Sequence, residues 1–160
     1  MVMARSPHPR PLRVEEKNHV RRILLPVDLE HENSWDKSLA NAVEICQGSG
    51  ASLHLLRVIP DFGMSIVQQY FPEGYEQEVA DKALEELKAF AAENVPDGIE
   101  VQHIVGEGKV YEVVLNIAGD VNADLIVMAA RRAEKTDYLL GQNSARVARH
   151  AGCSVLIVRD

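Results

Sequence analysis

The segment at residues 23–28 reads ILLPVD, and its pattern is the first indication of how this chain folds. Its apolar residues run without interruption and stop at Asp28, which is the pattern of a short strand buried on both faces. Pro26 lies near the end of the segment, where the loss of one backbone donor is tolerated. Strands buried on both faces belong to parallel sheets, and parallel sheets need a crossover, usually a helix, between successive strands.

The rest of the chain alternates apolar strand segments with amphipathic helical segments, as such a sheet requires. Further strands are predicted at 51–59, 99–105, 124–128 and 154–158. Helices are predicted at 34–46, 76–93, 110–117 and 143–150, with Asn33 or Ser34 as the cap of the first. The predicted fold class is α/β, a five-stranded parallel sheet with helices on both faces. Short right-handed connections leave two strand orders open, 3-2-1-4-5 and 2-1-3-4-5.

The composition is that of one globular domain. The chain has 160 residues and a formal net charge of −7, which argues against nucleic-acid binding. Its two cysteines, Cys46 and Cys153, form no Cys-x-x-Cys site and are expected to be buried thiols. No apolar run is long enough to span a membrane, and no hydrophobic stretch follows the N-terminal arginines as in a secretory signal. We therefore expect a cytoplasmic protein with a disordered tail at 1–20 and a domain at 21–160.

The fold predicts where a ligand would bind. In open parallel sheets, ligands bind beyond the carboxyl ends of the strands, where the strand order reverses. In the order 3-2-1-4-5 this point lies between strands 1 and 4, next to Asp28, Met128 and Ala129. Asp28 could accept hydrogen bonds from a ligand amine or a ribose hydroxyl, and the alternative is that it only stabilises the turn after the strand.

The turn at 141–144, Gly-Gln-Asn-Ser, precedes the last helix and suits a phosphate group. Free amides and the helix dipole attract anions there, and Gly141 lets the backbone approach closely. The alternative is that Asn143 or Ser144 merely caps the helix. Nearby cations could neutralise phosphates, although exposed loop cations are the commoner case. These cations are Arg131, Arg132, Lys135 and Arg146.

Several segments together resemble the universal stress protein family. They are ILLPVD at 23–28, DLIVMA at 124–129, YLLG at 138–141 and ARHAGCSVLIVR at 148–159. The resemblance covers residues 21 to 160 and implies a Rossmann-like, adenine nucleotide α-hydrolase-like sheet of order 3-2-1-4-5. It also implies a homodimer that pairs through the last strand. An unpaired final strand would be an exposed sheet edge, so dimerisation is expected on physical grounds as well.

Many members of that family bind ATP through a Gly-x2-Gly-x9-Gly-Ser/Thr pattern, from which this sequence departs. Ala129 stands at the first glycine, the loop after it has no second glycine, and Gln142 replaces Ser or Thr. The loop is also one residue shorter, and only Gly141 is unchanged. The segment YLLGQN at 138–143 is similar to that of the enterobacterial F-type subgroup, which has a Gly-poor loop.

The resemblance implies a nucleotide site, and ATP or AMP is the expected ligand, with magnesium accompanying ATP. Val58 would offer backbone groups to the adenine. We also expect Arg131, one of the loop cations named above, to contact a phosphate. The expected binding residues are Asp28, Val58, Gly108, Met128, Ala129, Arg131, Gly141, Gln142 and Asn143.

No catalytic constellation is recognised in the sequence. It contains no Gly-Lys-Ser/Thr phosphate loop, no Gly-x-Gly-x-x-Gly and no Gly-x-Ser-x-Gly. His31 lies between Glu30 and Glu32 near Asp28 and could bind a metal or shuttle a proton, whereas the alternative is a solvated acidic loop. We expect no catalytic or metal-binding residues, with slow ATP hydrolysis or self-phosphorylation as a reserve reading that needs the His31 cluster as general base.

Two function hypotheses remain open from the sequence. The first is a stress-response regulator in which nucleotide occupancy changes the surface that a dimer offers to an unknown protein partner. The second is a nucleotide-independent interaction module with a vestigial pocket. In the second hypothesis the dimer face or the apolar loop at 61–75 would bind the partner.

Overall fold

The computed structural model describes residues 19–31, 34–61, 73–130 and 141–159. Within them, strands and helices alternate from β1 to β5. The strands are β1 (Arg22–Pro26), β2 (Ser52–Ile59), β3 (Val101–Glu107), β4 (Leu125–Ala129) and β5 (Ser154–Val158). The helices are α1 (Asp36–Ser49), α2 (Tyr75–Asn94), α3 (Val110–Asp120) and α4 (Gln142–His150). The predicted α/β element order is confirmed.

The five strands form one parallel sheet in the order β3-β2-β1-β4-β5. Arg22 pairs with Ser52 of β2, and Ile23 pairs with Leu125 of β4, so β1 lies in the middle of the sheet. This order confirms one of the two arrangements that the sequence allowed and excludes 2-1-3-4-5. The strand order therefore reverses between β1 and β4, as the predicted site requires.

Alternate residues of the central strands supply two separate apolar cores, one on each face of the sheet. Leu25, Leu55 and Val127 pack under α1 and α2, where Leu39 and Leu87 face them. The intervening strand residues pack under α3 and α4. They are Leu24, Leu56 and Ile126, and they meet Val114 and Val147. Because both faces are covered, the strands read as continuous apolar runs, which is why the sequence identified them.

The amino ends of β1 and β4 are tied together by one carboxylate. Asp124 Oδ2 accepts hydrogen bonds from the backbone amides of Arg21 and Arg22, each at 2.9 Å. The Arg22 side chain returns a bond to the Asn122 carbonyl at 3.0 Å. These contacts fix the end of the sheet opposite the predicted ligand site, so that the two strands start in register.

Some predicted boundaries and caps were wrong. Helix α1 begins at Asp36, and the Ser34 hydroxyl does not cap it but donates to the carbonyls of Asp28 and His31. It ends three residues later than predicted, at Ser49, where Gly50 adopts a positive φ of 72°. Strand β3 begins at Val101 and continues to Glu107, so it passes through Gly106 rather than breaking there.

The cysteine prediction holds for one residue and needs correction for the other. Cys46 is buried, and burial raises the pKa of its thiol to about 11. Cys153 is only half-buried, because it precedes the edge strand β5.

Residues 1–18 and most of the loop at 61–75 lie outside the described residues, so the predicted tail and the predicted role of that loop stay predictions. None of the described helices is long and apolar enough to cross a membrane.

Candidate functional site

A cavity of about 500 Å³ opens at the carboxyl ends of the strands, over the point where β1 and β4 lie side by side. Small-molecule sites are clefts of roughly 300–1,000 Å³, so this cavity is of ligand size. The β1–α1 connection, the ends of β2 and β4 and the start of α4 contribute to its walls. Eight of the nine expected binding residues line it: Asp28, Val58, Gly108, Met128, Ala129, Gly141, Gln142 and Asn143. The ninth, Arg131, lies outside the described residues.

Asp28 lines the cavity where the chain leaves β1. The backbone amide of Glu30 donates to Asp28 Oδ1 at 3.1 Å, and Nδ1 of His31 lies 2.8 Å from Asp28 Oδ2. Asp28 therefore does stabilise the turn after the strand. Its side chain remains 43% exposed and lines the cavity, so the turn role leaves it accessible to a ligand.

Gly108 forms part of the wall next to the end of β2. Its φ of +129° is a conformation that side chains rarely adopt, and its amide donates to the Ile59 carbonyl at 3.0 Å. This bond holds the β3–α3 connection beside Val58. Only glycine gives that conformation without strain, and the missing side chain leaves room for a ligand to approach the backbone.

The start of α4 closes the cavity on the β4 side. Gly141 is the N-cap, and no side chain caps the helix. The Ser144 hydroxyl donates to the Gly141 carbonyl at 2.9 Å, so the predicted cap by Asn143 or Ser144 is wrong. The first amides of a helix have no intrahelical acceptor, and the dipole there is positive. The cavity wall is therefore suited to an anionic group.

Of the four expected phosphate cations, the structure describes Arg146, which does not line the cavity. Arg146 lies with its guanidinium carbon 4.6 Å from the centre of the Tyr111 ring, and neither residue lines the cavity. Arg131, Arg132 and Lys135 lie outside the described residues. Arg57 does line the cavity, and it forms an ion pair with Glu86 of α2 that lowers the pKa of that carboxyl.

The β1–α1 connection supplies a wall of which the sequence analysis considered Asp28 and His31 but missed Leu29 and Trp35. Leu29, His31, Ser34 and Trp35 of this connection line the cavity, as does Pro60, which directly follows β2. The signal was available in the sequence. Connections that follow a parallel strand lie at the carboxyl edge of the sheet, and Trp35 is a large aromatic residue within such a connection.

The acidic residues near His31 do not assemble into a metal site within the described part of the chain. No group of three or more His, Cys, Asp or Glu side chains there could hold a metal ion. Glu32, one of the residues weighed for such a site, lies outside the described residues. The observed partner of His31 is Asp28, and the pair forms one edge of the cavity.

A parallel sheet of this order with helices on both faces, and a cavity where the order reverses, defines the doubly wound α/β class. The model of the Universal stress protein family matches residues 19–159. The chain therefore belongs to the Universal stress protein family. The family identification made from the sequence is confirmed.

Known relatives agree with the family match. Universal stress protein G of Shigella flexneri is 28% identical over 141 residues, which cover 87% of this chain and 99% of the relative. The resemblance to the F-type subgroup rests on the loop segment alone and stays a prediction. Among solved structures, the universal stress protein UspA from Lactobacillus plantarum has a TM-score of 0.67 at 23% identity, covering 88% of this chain and 99% of that one.

Two further structures that share the fold were solved with ligands. A universal stress protein in complex with cAMP has a TM-score of 0.59 at 22% identity, covering 88% of this chain and 98% of that one. The universal stress protein from Archaeoglobus fulgidus in complex with dAMP has a TM-score of 0.58 at 18% identity, covering 87% and 98%. At these identities the comparison shows a common fold.

Proposed function

We propose that this protein is a stress-response regulator that binds an adenine nucleotide, ATP or AMP, in the cavity at the strand-order reversal. The observation that carries the proposal is the convergence of eight expected binding residues, drawn from five separate parts of the chain, on one ligand-sized space. The cAMP and dAMP complexes of two proteins with this fold support an adenine nucleotide as the ligand class.

Each part of the cavity suits one part of a nucleotide. The uncapped start of α4 would bind a phosphate through its backbone amides. The Asp28 carboxylate would accept a hydrogen bond from a ribose hydroxyl, and backbone groups at Val58 would pair with the adenine edge. With ATP, magnesium would arrive bound to the phosphates, since such sites usually take few protein ligands.

The proposal includes a homodimer that pairs through β5 and acts on a protein partner of unknown identity. In the described sheet β5 is an edge strand, bonded to β4 on one side. Its apolar residues from Val155 to Val158 remain only half-buried in one chain. A second copy would cover this edge. Both cysteines are free thiols, which is in keeping with a cytoplasmic protein.

The second candidate is a nucleotide-independent dimeric interaction module. Ala129 favours it, because a methyl group stands at a cavity position where many relatives that bind ATP have glycine. A protein of this kind would keep the fold and the edge strand but would gain nothing from nucleotide. The two candidates therefore differ in one measurable property, the response of stability to nucleotide concentration.

A thermal-shift titration with AMP, ADP and ATP, each with and without magnesium, tests the proposal. A ligand that binds only the folded state raises the unfolding free energy by about 2.7 kcal/mol at a hundred times its dissociation constant. We expect a concentration-dependent rise in Tm with at least one nucleotide. No shift at millimolar concentrations would overturn the proposal in favour of the interaction module.

Two glycine variants locate the effect. Gly141→Asp places a carboxylate at the start of α4, where it would repel a phosphate, so the shift should disappear. Gly152→Asp adds the same charge at an exposed position outside the cavity, with no atom within 4 Å of the new side-chain carbon. It should leave the shift unchanged. Equal behaviour of the two variants would contradict the placement of the site.

A further inference from the structure

Trp35 is the single tryptophan of the chain and lies in the wall of the cavity. It immediately precedes α1 and serves as the N-cap residue of that helix. It is not among the residues that the family resemblance assigns to the nucleotide site. His31 and Ser34, from the same connection, line the cavity beside it. The cavity thus has an aromatic element that the expected binding residues do not include.

The ring of Trp35 is held in place by a perpendicular contact with Phe90 of α2. The two ring centroids are 4.6 Å apart, and the planes meet at 87°. In a perpendicular pair each ring uses an edge or one face, so Phe90 leaves at least one face of Trp35 uncovered. Trp35 is half-buried, and part of it therefore remains accessible from the cavity.

We propose that Trp35 contacts the planar base of the bound nucleotide and sets a preference for ligands that carry an aromatic base. This inference rests on the proposed function and deepens it by naming a residue that distinguishes nucleotides from bare sugar phosphates. Bases stack on aromatic side chains, and the loss of one such contact weakens binding by roughly five- to a hundred-fold. A ring fixed beforehand by Phe90 adds little ordering cost on binding.

The competing explanation is that Trp35 serves only to extend the apolar core. It does pack against the core cluster that contains Leu39 and Phe90. In that case any apolar side chain of similar bulk would serve, and ligands with and without a base would respond alike to its replacement. The two explanations are separated by changing the residue and the ligand together.

Isothermal titration calorimetry of AMP and ribose 5-phosphate against wild type, Trp35→Leu and Trp35→Phe performs this test. For AMP we expect Trp35→Leu to lose about tenfold in affinity and Trp35→Phe to keep most of it. For ribose 5-phosphate we expect all three proteins to be equal. An unchanged AMP affinity in Trp35→Leu, or equal losses for both ligands, would overturn the role of Trp35.

Tryptophan fluorescence of the wild type gives a second measurement that needs no variant. Because Trp35 is the single tryptophan, any change reports on this residue. AMP should change the emission with a midpoint at its calorimetric dissociation constant, whereas ribose 5-phosphate should not. AMP that binds without changing the emission would overturn the inference and leave the proposed function standing. Failure of AMP, ADP and ATP alike to bind the wild type would overturn both proposals.

Discussion

At the scale of single residues, His54 is the clearest case of a polar side chain enclosed by the fold. It lies on the middle of β2 with 4% of its surface exposed, and its Nε2 is 3.2 Å from the Ser52 hydroxyl oxygen. Burial lowers the pKa of His54, with a further contribution from the positive charge of Arg22. Burial also lowers the pKa of His103 on β3. Both histidines therefore lie within the sheet, on β2 and β3, and not in the cavity wall.

The lowered pKa values predict a loss of stability in acid. As the pH falls through the usual histidine range, the unfolded chain takes up protons before the folded chain does. The stabilising effect of keeping these rings neutral is therefore complete above that range and is lost below it. Urea unfolding between about pH 8 and about pH 5.5 should show a falling free energy of unfolding.

One variant isolates the contribution of His54 to the slope of the unfolding free energy against pH. His54→Gln keeps a polar group near Ser52 but cannot titrate, so the slope should decrease by at most about 1.4 kcal/mol per pH unit. A slope that is the same in His54→Gln as in wild type would show that another group carries the acid sensitivity.

At the scale of elements, the contact between β3 and α3 depends on a glycine. A side-chain carbon on Gly106 would collide with Cγ1 of Val113, a buried residue of α3. The helix therefore lies against the strand at a distance that only glycine permits. This packing also sets the start of α3, and with it the position of Gly108 in the cavity wall.

Gly106→Ala should destabilise the protein by about 1–3 kcal/mol, because the added methyl group overpacks this contact. Chemical denaturation measures the change. Gly119→Ala is the matched control, since Gly119 lies in α3 with no atom within 4 Å of an added carbon. It should be neutral or stabilising by up to about 1 kcal/mol. Equal destabilisation by both variants would mean that the close approach of Val113 is not what restricts position 106 to glycine.

Strands and helices could be predicted where their burial produces a recognisable pattern of apolar residues. The apolar runs of β1 and β4 identified the strands, because both faces of these strands are covered. Helix starts were less predictable, since a serine can cap a helix or bond elsewhere, and Ser34 and Ser144 both donate to carbonyls instead. Pattern alone left two strand orders open, and the family resemblance selected the one that the structure contains.

Site residues that lie at strand ends or helix starts could be predicted from the topology. Site residues that depend on contacts between distant side chains could not. Asp28 and Gly141 follow directly from the strand ends and the last helix start, and both line the cavity. Topology also places Trp35 at this edge of the sheet, but the contact that orients its ring, with Phe90 more than fifty residues away, could not be predicted from the sequence. The expected phosphate role of Arg146 is not supported, since its partner is Tyr111 on α3.

At the scale of the whole molecule, β5 is the sheet edge at which we propose that two copies pair. Ile157 is half-buried and belongs to neither apolar core, so its side chain is available to a partner. Val105 is its counterpart on the opposite edge strand, β3, and is also half-buried and outside both cores. The two positions allow the proposed dimer edge to be compared with the other edge.

We expect Ile157→Lys to convert a homodimer into a folded monomer, because it places a charge in an apolar interface. Light scattering after size-exclusion chromatography would show half the mass, and circular dichroism would confirm the fold. Val105→Lys should leave the dimer intact. Dissociation by Val105→Lys alone would move the interface to β3, and a wild-type monomer would remove the dimer from the proposed function.

Amide hydrogen exchange with and without AMP or ATP shows whether an adenine nucleotide occupies the cavity where the strand order reverses. We expect the bound nucleotide to slow exchange at 27–31, 56–59, 108, 128–130 and 141–144, which line the cavity from separate parts of the sequence. Exchange at the amino end of the sheet, around Arg22 and Asp124, should not change. Protection confined to other segments, or no protection with either nucleotide, would show that the cavity is not the nucleotide site.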